Sequence, residues 1–276
     1  MKNKYNSLEL KKIQYIEYCM LVEIDRICKK NNIEYFLDSG TSLGAIRHSG
    51  FIPWDDDIDV GMLREDYEKF NNIVVREINK LYEVQNIYTD KYTYVSYTKI
   101  RCKNTEFVEY CNRKNKGMKG VYVDIFPYDK VPENEVERKK YIKKNLLLNK
   151  IFTYKSIPDI TRKPDTGLQL IKYIMRRIIH YFCNIIPKKF IFNILNNTRK
   201  KYYMTDSNYI CCLEFLKKPV ILKKDRIIPL KETVFEDQLF PIPRDVDYYL
   251  SNMYGNYMIL PSEDKRIGHS PYKIKL

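Results

Sequence analysis

A chain of 276 residues with 44% hydrophobic content can bury a sizeable core, as one large domain or one domain with an insertion. The net charge of +14 is concentrated: from Arg138 to Lys201 there are seventeen Lys and Arg against two acids, Asp159 and Asp165, and the rest of the chain is close to neutral. The polar stretch from Met1 to Lys12 predicts no signal peptide, no apolar run is long and uncharged enough for a transmembrane helix, and seven cysteines without a Cys-x-x-Cys pair argue against zinc and for reduced thiols in cytosol.

Residues 7–30 carry Leu10, Ile13, Ile16, Met20, Ile24 and Ile27 at helical spacing and predict a packing helix. Ile33 to Leu37 form a short, mostly apolar run that enters a Ser39-Gly40-Thr41-Ser42 turn, with a helix expected through Ile46. Small residues at such a turn let backbone N–H groups approach a phosphate, and a helix N-terminus favours its charge.

The chain is organised around Phe51-Ile-Pro-Trp-Asp-Asp-Asp-Ile-Asp-Val60. Read as a strand, this stretch puts Asp55, Asp57 and Asp59 on one face and Asp56, Ile58 and Val60 on the other. Three like charges at that spacing are tolerable when a cation sits among them, and all-oxygen ligands favour Mg²⁺, with Mn²⁺ as a substitute. The competing reading is a solvated acidic turn. The alternating Ile58, Val60 and Met62 and the single tryptophan, Trp54, weigh against it.

Gly40-Thr-Ser-Leu-Gly-Ala-Ile-Arg-His48 followed by Phe51-Ile-Pro-Trp-Asp-Asp-Asp-Ile-Asp59 resembles the signature of the LicD family. These are bacterial phosphocholine transferases with a nucleotidyltransferase-type fold, distantly related to the fukutin-type phosphotransferases. The match is nearly unbroken from Leu37 to Val60, and weaker echoes extend it over most of the chain. The resemblance implies an α/β (α+β) fold, a nucleotidyltransferase-like mixed sheet flanked by helices. On that basis residues 1–133 form the catalytic core, 134–205 a basic helical insertion, and 206–276 the part that completes the catalytic domain.

Arg64 to Phe70 start a helix expected to run to Leu81. Residues 92–110, rich in β-formers, predict two strands. Lys99 and Arg101 share a face there and either neutralise substrate phosphate or decorate an exposed edge strand. In Gly120 to Asp129, Val121, Val123 and Ile125 alternate with Tyr122, Asp124 and Phe126. An aspartate among apolar β-formers is costly to bury unless paired or metal-bound. Asp124, within an Asp-Ile-Phe-Pro run that the family shares, is therefore the candidate third carboxylate, as metal ligand or general base. Hydrogen bonding to nearby backbone is the alternative.

Ile142 to Ile151 and Leu168 to Ile186 predict helices. In the second, Lys172, Arg176 and His180 recur every four residues, and Leu170, Ile171, Ile174, Met175, Ile178, Ile179 and Phe182 fill much of the rest. Such a helix either lies on an anionic membrane or packs its apolar face on the core. No nucleic-acid motif accompanies the charge. Val220 to Leu222 and Arg226 to Leu230 read as strand pieces, and Asp245 caps a helix that ends before Gly255. Lys265, Arg266 and His269 either close over a phosphate or belong to a frayed tail.

The resemblance implies transfer of phosphocholine from CDP-choline to a sugar hydroxyl of a lipid-linked or envelope glycan (teichoic acid, lipopolysaccharide or capsule precursor), with release of CMP. Asp55, Asp57, Asp59 and Asp124 are the expected metal ligands, and Asp57, Asp59 and Asp124 the catalytic set. Gly40, Thr41, Ser42, Arg47, His48, Lys99, Arg101, Arg266 and His269 are the expected substrate and phosphate contacts. Trp54 and Tyr122 are candidates for a choline cage. The expected location is cytoplasmic, peripheral on the inner face of the membrane. A CDP-polyol donor such as CDP-ribitol, nucleotidyl transfer, and an inactive membrane-surface scaffold are the alternatives.

Overall fold

The structure is a computed structural model and describes residues 5–157, 166–214, 219–269 and 271–276. The first helix, α1 (Ser7–Lys30), is closed by a capping box: the Asn6 side chain accepts from the Leu8 and Glu9 N–H groups, and Glu9 accepts from the Asn6 N–H. Its buried stripe of Ile13, Met20, Ile24 and Ile27 faces the central sheet. Next come β1 (Phe36–Leu37), α2 (Ser39–His48), β2 (Ile58–Leu63) and α3 (Arg64–Glu77).

The acidic stretch is a strand only from Ile58 onward. Before it the backbone turns, with the Asp55 N–H donating to the Ile52 carbonyl, and Pro53 has no N–H for a ladder. The face alternation expected of the stretch nevertheless persists: Asp56, Ile58 and Val60 are buried, whereas Asp55, Asp57 and Asp59 line a cleft.

The chain continues through β3 (Tyr82–Gln85), β4 (Thr98–Cys102), β5 (Glu106–Val108) and β6 (Tyr122–Lys130). Residues 92–97 precede β4 without being a strand. Three helices follow, α4 (Glu135–Ser156), α5 (Gly167–Cys183) and α6 (Lys188–Arg199), before β7 (Tyr209–Cys212) and β8 (Ile221–Lys223). Part of the stretch from Arg226 to Leu230, expected as strand, is the end of a single helical turn, α7 (Lys224–Ile227). The hairpin of β9 (Lys231–Phe235) and β10 (Gln238–Ile242), then α8 (Val246–Tyr254), capped by Asp245, and β11 (Lys273–Lys275), complete the described elements.

The main sheet is mixed, in the order β1-β2-β6-β4-β3, with β7 on the second half of β6 and β8 outside β7. β2 and β6 run parallel and the other pairs antiparallel. The long strand β6 is the axis. Val121, before it, and its Val123 and Ile125 join α1 and α3 in one core; its Phe126 and Tyr128 join α2 and α8 in another, on the opposite face. Asp124 lies on that second face, which is the face of the candidate site.

α4 and α6 share a small core of Phe152, Ile191, Phe192 and Leu195 with Ile87. They are tied to the rest of the chain by a buried ion pair of Arg199 with Glu214, to which the Ser96 hydroxyl also donates.

Candidate active site

Strand register builds the site. Asp59 of β2 lies opposite Asp124 of β6, and Lys99 of β4 lies opposite Asp124 from the other side. The Lys99 ammonium donates to both Asp124 oxygens, at 2.6 and 2.9 Å, and the Tyr97 hydroxyl donates to the same carboxylate at 3.0 Å. Asp124, expected as a metal ligand, thus has an internal cation as its first partner. Lys99 and Arg101 are buried on an interior strand, so the exposed-edge reading of both does not hold. Arg101 is directed away from the carboxylates, donating to the Gln85 side chain and the Gly120 carbonyl, each at 2.6 Å.

A cleft of about 450 Å³ opens at the start of α2. Asp55, Asp57 and Asp59 line it with Ser39, Gly40 and His269, and Tyr254 of α8 stands on its wall. Burial is the main cause that raises all three carboxyls; the charge of Asp57 adds to it at Asp55 and Asp59, whereas at Asp57 itself His269 opposes it and Asp56 and Asp124 add to it. Asp55 is pushed up to about 8, Asp57 is raised, and Asp59 is raised well above the ordinary range. Glu17 of α1 is also raised well above its usual value, by burial first and then by the four aspartates. This cluster of oxygen donors, crowded and partly dehydrated, suits a hard divalent cation. Both Asp124 oxygens accept from protein donors and Asp124 is not part of the cleft lining, whereas Asp55, Asp57 and Asp59 are.

The turn into α2 is built for this cleft. Asp38, buried, caps the helix by accepting from the Ser39 N–H, and it also accepts from the Tyr128 and Tyr249 hydroxyls. Gly40 packs closely against the acidic turn: a Cβ there would lie 2.9 Å from Asp55 Oδ2, so the Asp55 side chain would have to shift. The Thr41 hydroxyl accepts from the Asp59 N–H at 2.8 Å and locks strand to helix. Thr41 and Ser42 are buried, so of the expected contacts Gly40, Thr41 and Ser42 only Gly40 lines the cleft, beside Ser39 of the same turn.

Tyr5 and His269, far apart in sequence, meet at Asp56 behind the acids. Asp56 accepts from the Tyr5 hydroxyl at 2.7 Å and from the His269 backbone N–H at 2.9 Å, and it pairs with His269 Nδ1 at 3.0 Å. That hydrogen bond holds the imidazole protonated up to about 10. Among the described residues, Asp56, Asp57 and His269 have ligand atoms within 4.8 Å of one another, the spacing of a metal site. A protonated His269 donates to Asp56 instead of ligating, and Asp57 belongs to both groups. The C-terminal segment is therefore anchored at His269.

The remaining expected contacts form a second cluster. Arg47 donates to His48 Nε2 and to the Tyr257 carbonyl, and burial and Arg47 hold His48 below its usual pKa. Arg266 lies over the Trp54 ring, 5.4 Å from its centroid, and donates to the Pro261 carbonyl. Tyr122 is buried with Lys99 against its ring at 3.6 Å and does not offer a face to a choline. Tyr254 is the aromatic residue in the cleft. Nothing in the residues around Tyr254 marks it as a site residue, because its place in the cleft depends on how α8 packs.

The nucleotidyltransferase domain described for the LicD/FKTN/FKRP family matches residues 32–163. The lipopolysaccharide cholinephosphotransferase LicD of Haemophilus influenzae is 28% identical over 271 residues, covering 95% of this chain and 96% of that protein. An uncharacterized protein of Rickettsia prowazekii is 38% identical over 119 residues, 42% of this chain and 40% of that protein. An uncharacterized protein of Rickettsia typhi is 46% identical over 57 residues, 21% of this chain and 18% of that protein.

Proposed function

We propose that this chain, which carries a LicD-family nucleotidyltransferase domain, is a phosphotransferase that moves phosphocholine from CDP-choline to a sugar hydroxyl of an envelope glycan. The observation that carries the reading is the row Asp55, Asp57 and Asp59 in the cleft at the start of α2, together with likeness to a cholinephosphotransferase along nearly the whole chain. Mg²⁺, or Mn²⁺ in its place, would be held by these three carboxylates and would supply charge stabilisation at the diphosphate.

In the reaction the acceptor oxygen forms a bond to the phosphorus that bears choline. The bond from that phosphorus to the bridging oxygen breaks, CMP departs, and the hydroxyl proton is lost. Phosphoryl transfer depends mainly on positioning and electrostatics, so no protein nucleophile is required. Lys99 is held by Asp124, which lies opposite Asp59 in the sheet, and supplies positive charge at the far end of that row. His269 braces Asp56 and Asp57. Tyr254 offers a π face to the quaternary ammonium. Residues 134–205 are taken as a helical addition to a core made by 1–133 and 206–276. A lipid-linked acceptor would bring the enzyme to the inner face of the membrane.

The test is incubation of the purified protein with CDP-choline and de-lipidated lipopolysaccharide core oligosaccharide, with and without Mg²⁺. Equal appearance of CMP and phosphocholine-modified glycan supports the reading. CMP retained on the glycan would make the protein a nucleotidyltransferase, and preference for CDP-ribitol would change the donor.

A further inference from the structure

Helix α5 is amphipathic, but it is packed the opposite way from a core helix. None of its residues is buried. Its polar side rests on α4: Arg176 lies over the Tyr154 ring and donates to the Ile157 carbonyl, and His180 Nδ1 pairs with the Tyr154 carbonyl at 2.8 Å. At the C-terminal end Lys155 donates to the Cys183 carbonyl. The apolar side faces outward. Leu168, Ile171, Met175, Ile178 and Phe182 recur at helical spacing along one face, and each is more than half exposed. The stripe runs on to Ile185, also exposed.

An unbroken apolar stripe of this kind on a protein surface marks an interaction site. Its charge identifies the partner. The stripe is flanked by Lys172 on one edge and Arg177 on the other, and α5 contains no acid. Pairing with a second copy of α5 would set these cations against one another. No helix among the described residues is long and apolar enough to cross a membrane. An apolar stripe with basic edges matches a surface whose interior is hydrocarbon and whose rim is anionic.

We infer that α5 lies in the plane of an anionic lipid bilayer, with Leu168, Ile171, Met175, Ile178 and Phe182 in the acyl boundary and Lys172 and Arg177 at the phosphate level. This deepens the membrane placement proposed above. It rests on the packing of α5 and not on the transfer reaction, so either can fail alone.

The experiment is vesicle flotation with the full chain, on phosphatidylcholine vesicles with and without phosphatidylglycerol. The variants are Met175→Glu/Ile178→Glu on the apolar face and Lys172→Glu/Arg177→Glu on its edges. Wild type is expected to float with phosphatidylglycerol vesicles, less so at high salt. The apolar-face variant should lose partitioning by about tenfold or more, the scale of removing two large side chains from the acyl boundary. The edge variant should lose the preference for phosphatidylglycerol. Both variants should melt like wild type and keep their activity on the lipid-free oligosaccharide. Wild type that stays in solution with both vesicle types overturns the inference. So does a wild-type dimer, seen by sedimentation equilibrium, that Met175→Glu/Ile178→Glu converts to monomer. Vesicle binding without phosphocholine transfer would refute the proposed reaction and leave this inference standing.

Discussion

Asp59 and Asp124 are register partners on adjacent parallel strands, and Lys99 closes the row from the third strand. One end of this row opens to the cleft and the other is a buried ion pair. The two ends answer differently to substitution.

At the open end, Asp57→Asn and Asp59→Asn remove a charged oxygen ligand while keeping the shape. Each is expected to lower kcat about a thousandfold, near 4 kcal/mol of transition-state stabilisation. Neither should unfold the protein, because each relieves repulsion among the acids. Turnover of CDP-choline and a thermal melt read both effects. Normal turnover by either variant would remove that residue from the site.

At the buried end, Lys99→Met leaves Asp124 buried with the Tyr97 hydroxyl still donating to it but with no cation beside it, and the expected cost is roughly 3–5 kcal/mol. Lys99→Met/Asp124→Leu should recover most of that stability without recovering activity. Urea denaturation of the two variants, set beside their turnover, tests the separation. If the double variant is as unstable as the single one, the pair is not the source of the loss.

The carboxyls also set a pH dependence. Burial, then Asp57, raises Asp55 from an ordinary value of 3.8 to about 8, and Asp57 and Asp59 are raised as well. Between those values the folded chain holds protons that the unfolded chain has released, so stability without metal is greatest at low pH and is lost as pH rises toward about 8. A cation binds the ionised form, so its stabilisation grows over the same window. Melting curves should show Mg²⁺ raising Tm at about pH 8 and having little effect at about pH 5. A Mg²⁺ effect that is constant with pH would contradict this.

Gly40→Ala tests the fit between α2 and the acidic turn. A methyl group 2.9 Å from Asp55 Oδ2 forces that side chain to move. Activity is expected to fall by about ten- to a hundredfold, with Tm changed by only a few degrees. Wild-type kcat and KM would show that Asp55 need not stand where it does.

Much of this arrangement was legible in the residues. The alternation of Asp55 to Val60 predicted which side chains share a face, and it is kept, with Asp56, Ile58 and Val60 buried and Asp55, Asp57 and Asp59 lining the cleft. In β6, Val123 and Ile125 part from Phe126 in the same way, although Tyr122 joins the core of Val123 and Ile125. Period-two patterning survives even though the ladder starts only at Ile58. The partnerships between strands were not legible. Nothing local to Lys99 shows that β4 would lie beside β6, so its capture of Asp124 depends on tertiary pairing. Tyr254 enters the cleft through the docking of α8, and the inverted seating of α5 depends on Tyr154 and Lys155, far away in sequence. Arg226 to Ile228 read as strand from their composition, but the chain closes a helical turn there as the Ile228 N–H bonds to the Lys224 carbonyl.

The central claim is that the cleft lined by Asp55, Asp57 and Asp59 transfers phosphocholine with the help of a divalent cation. The most direct test is mass spectrometry of the glycan after incubation with CDP-choline, with Mg²⁺ present and after its removal by chelation. The account predicts a phosphocholine adduct and equimolar CMP with Mg²⁺, and neither after chelation or with Asp57→Asn. Equal transfer after chelation, or undiminished transfer by Asp57→Asn, would contradict it.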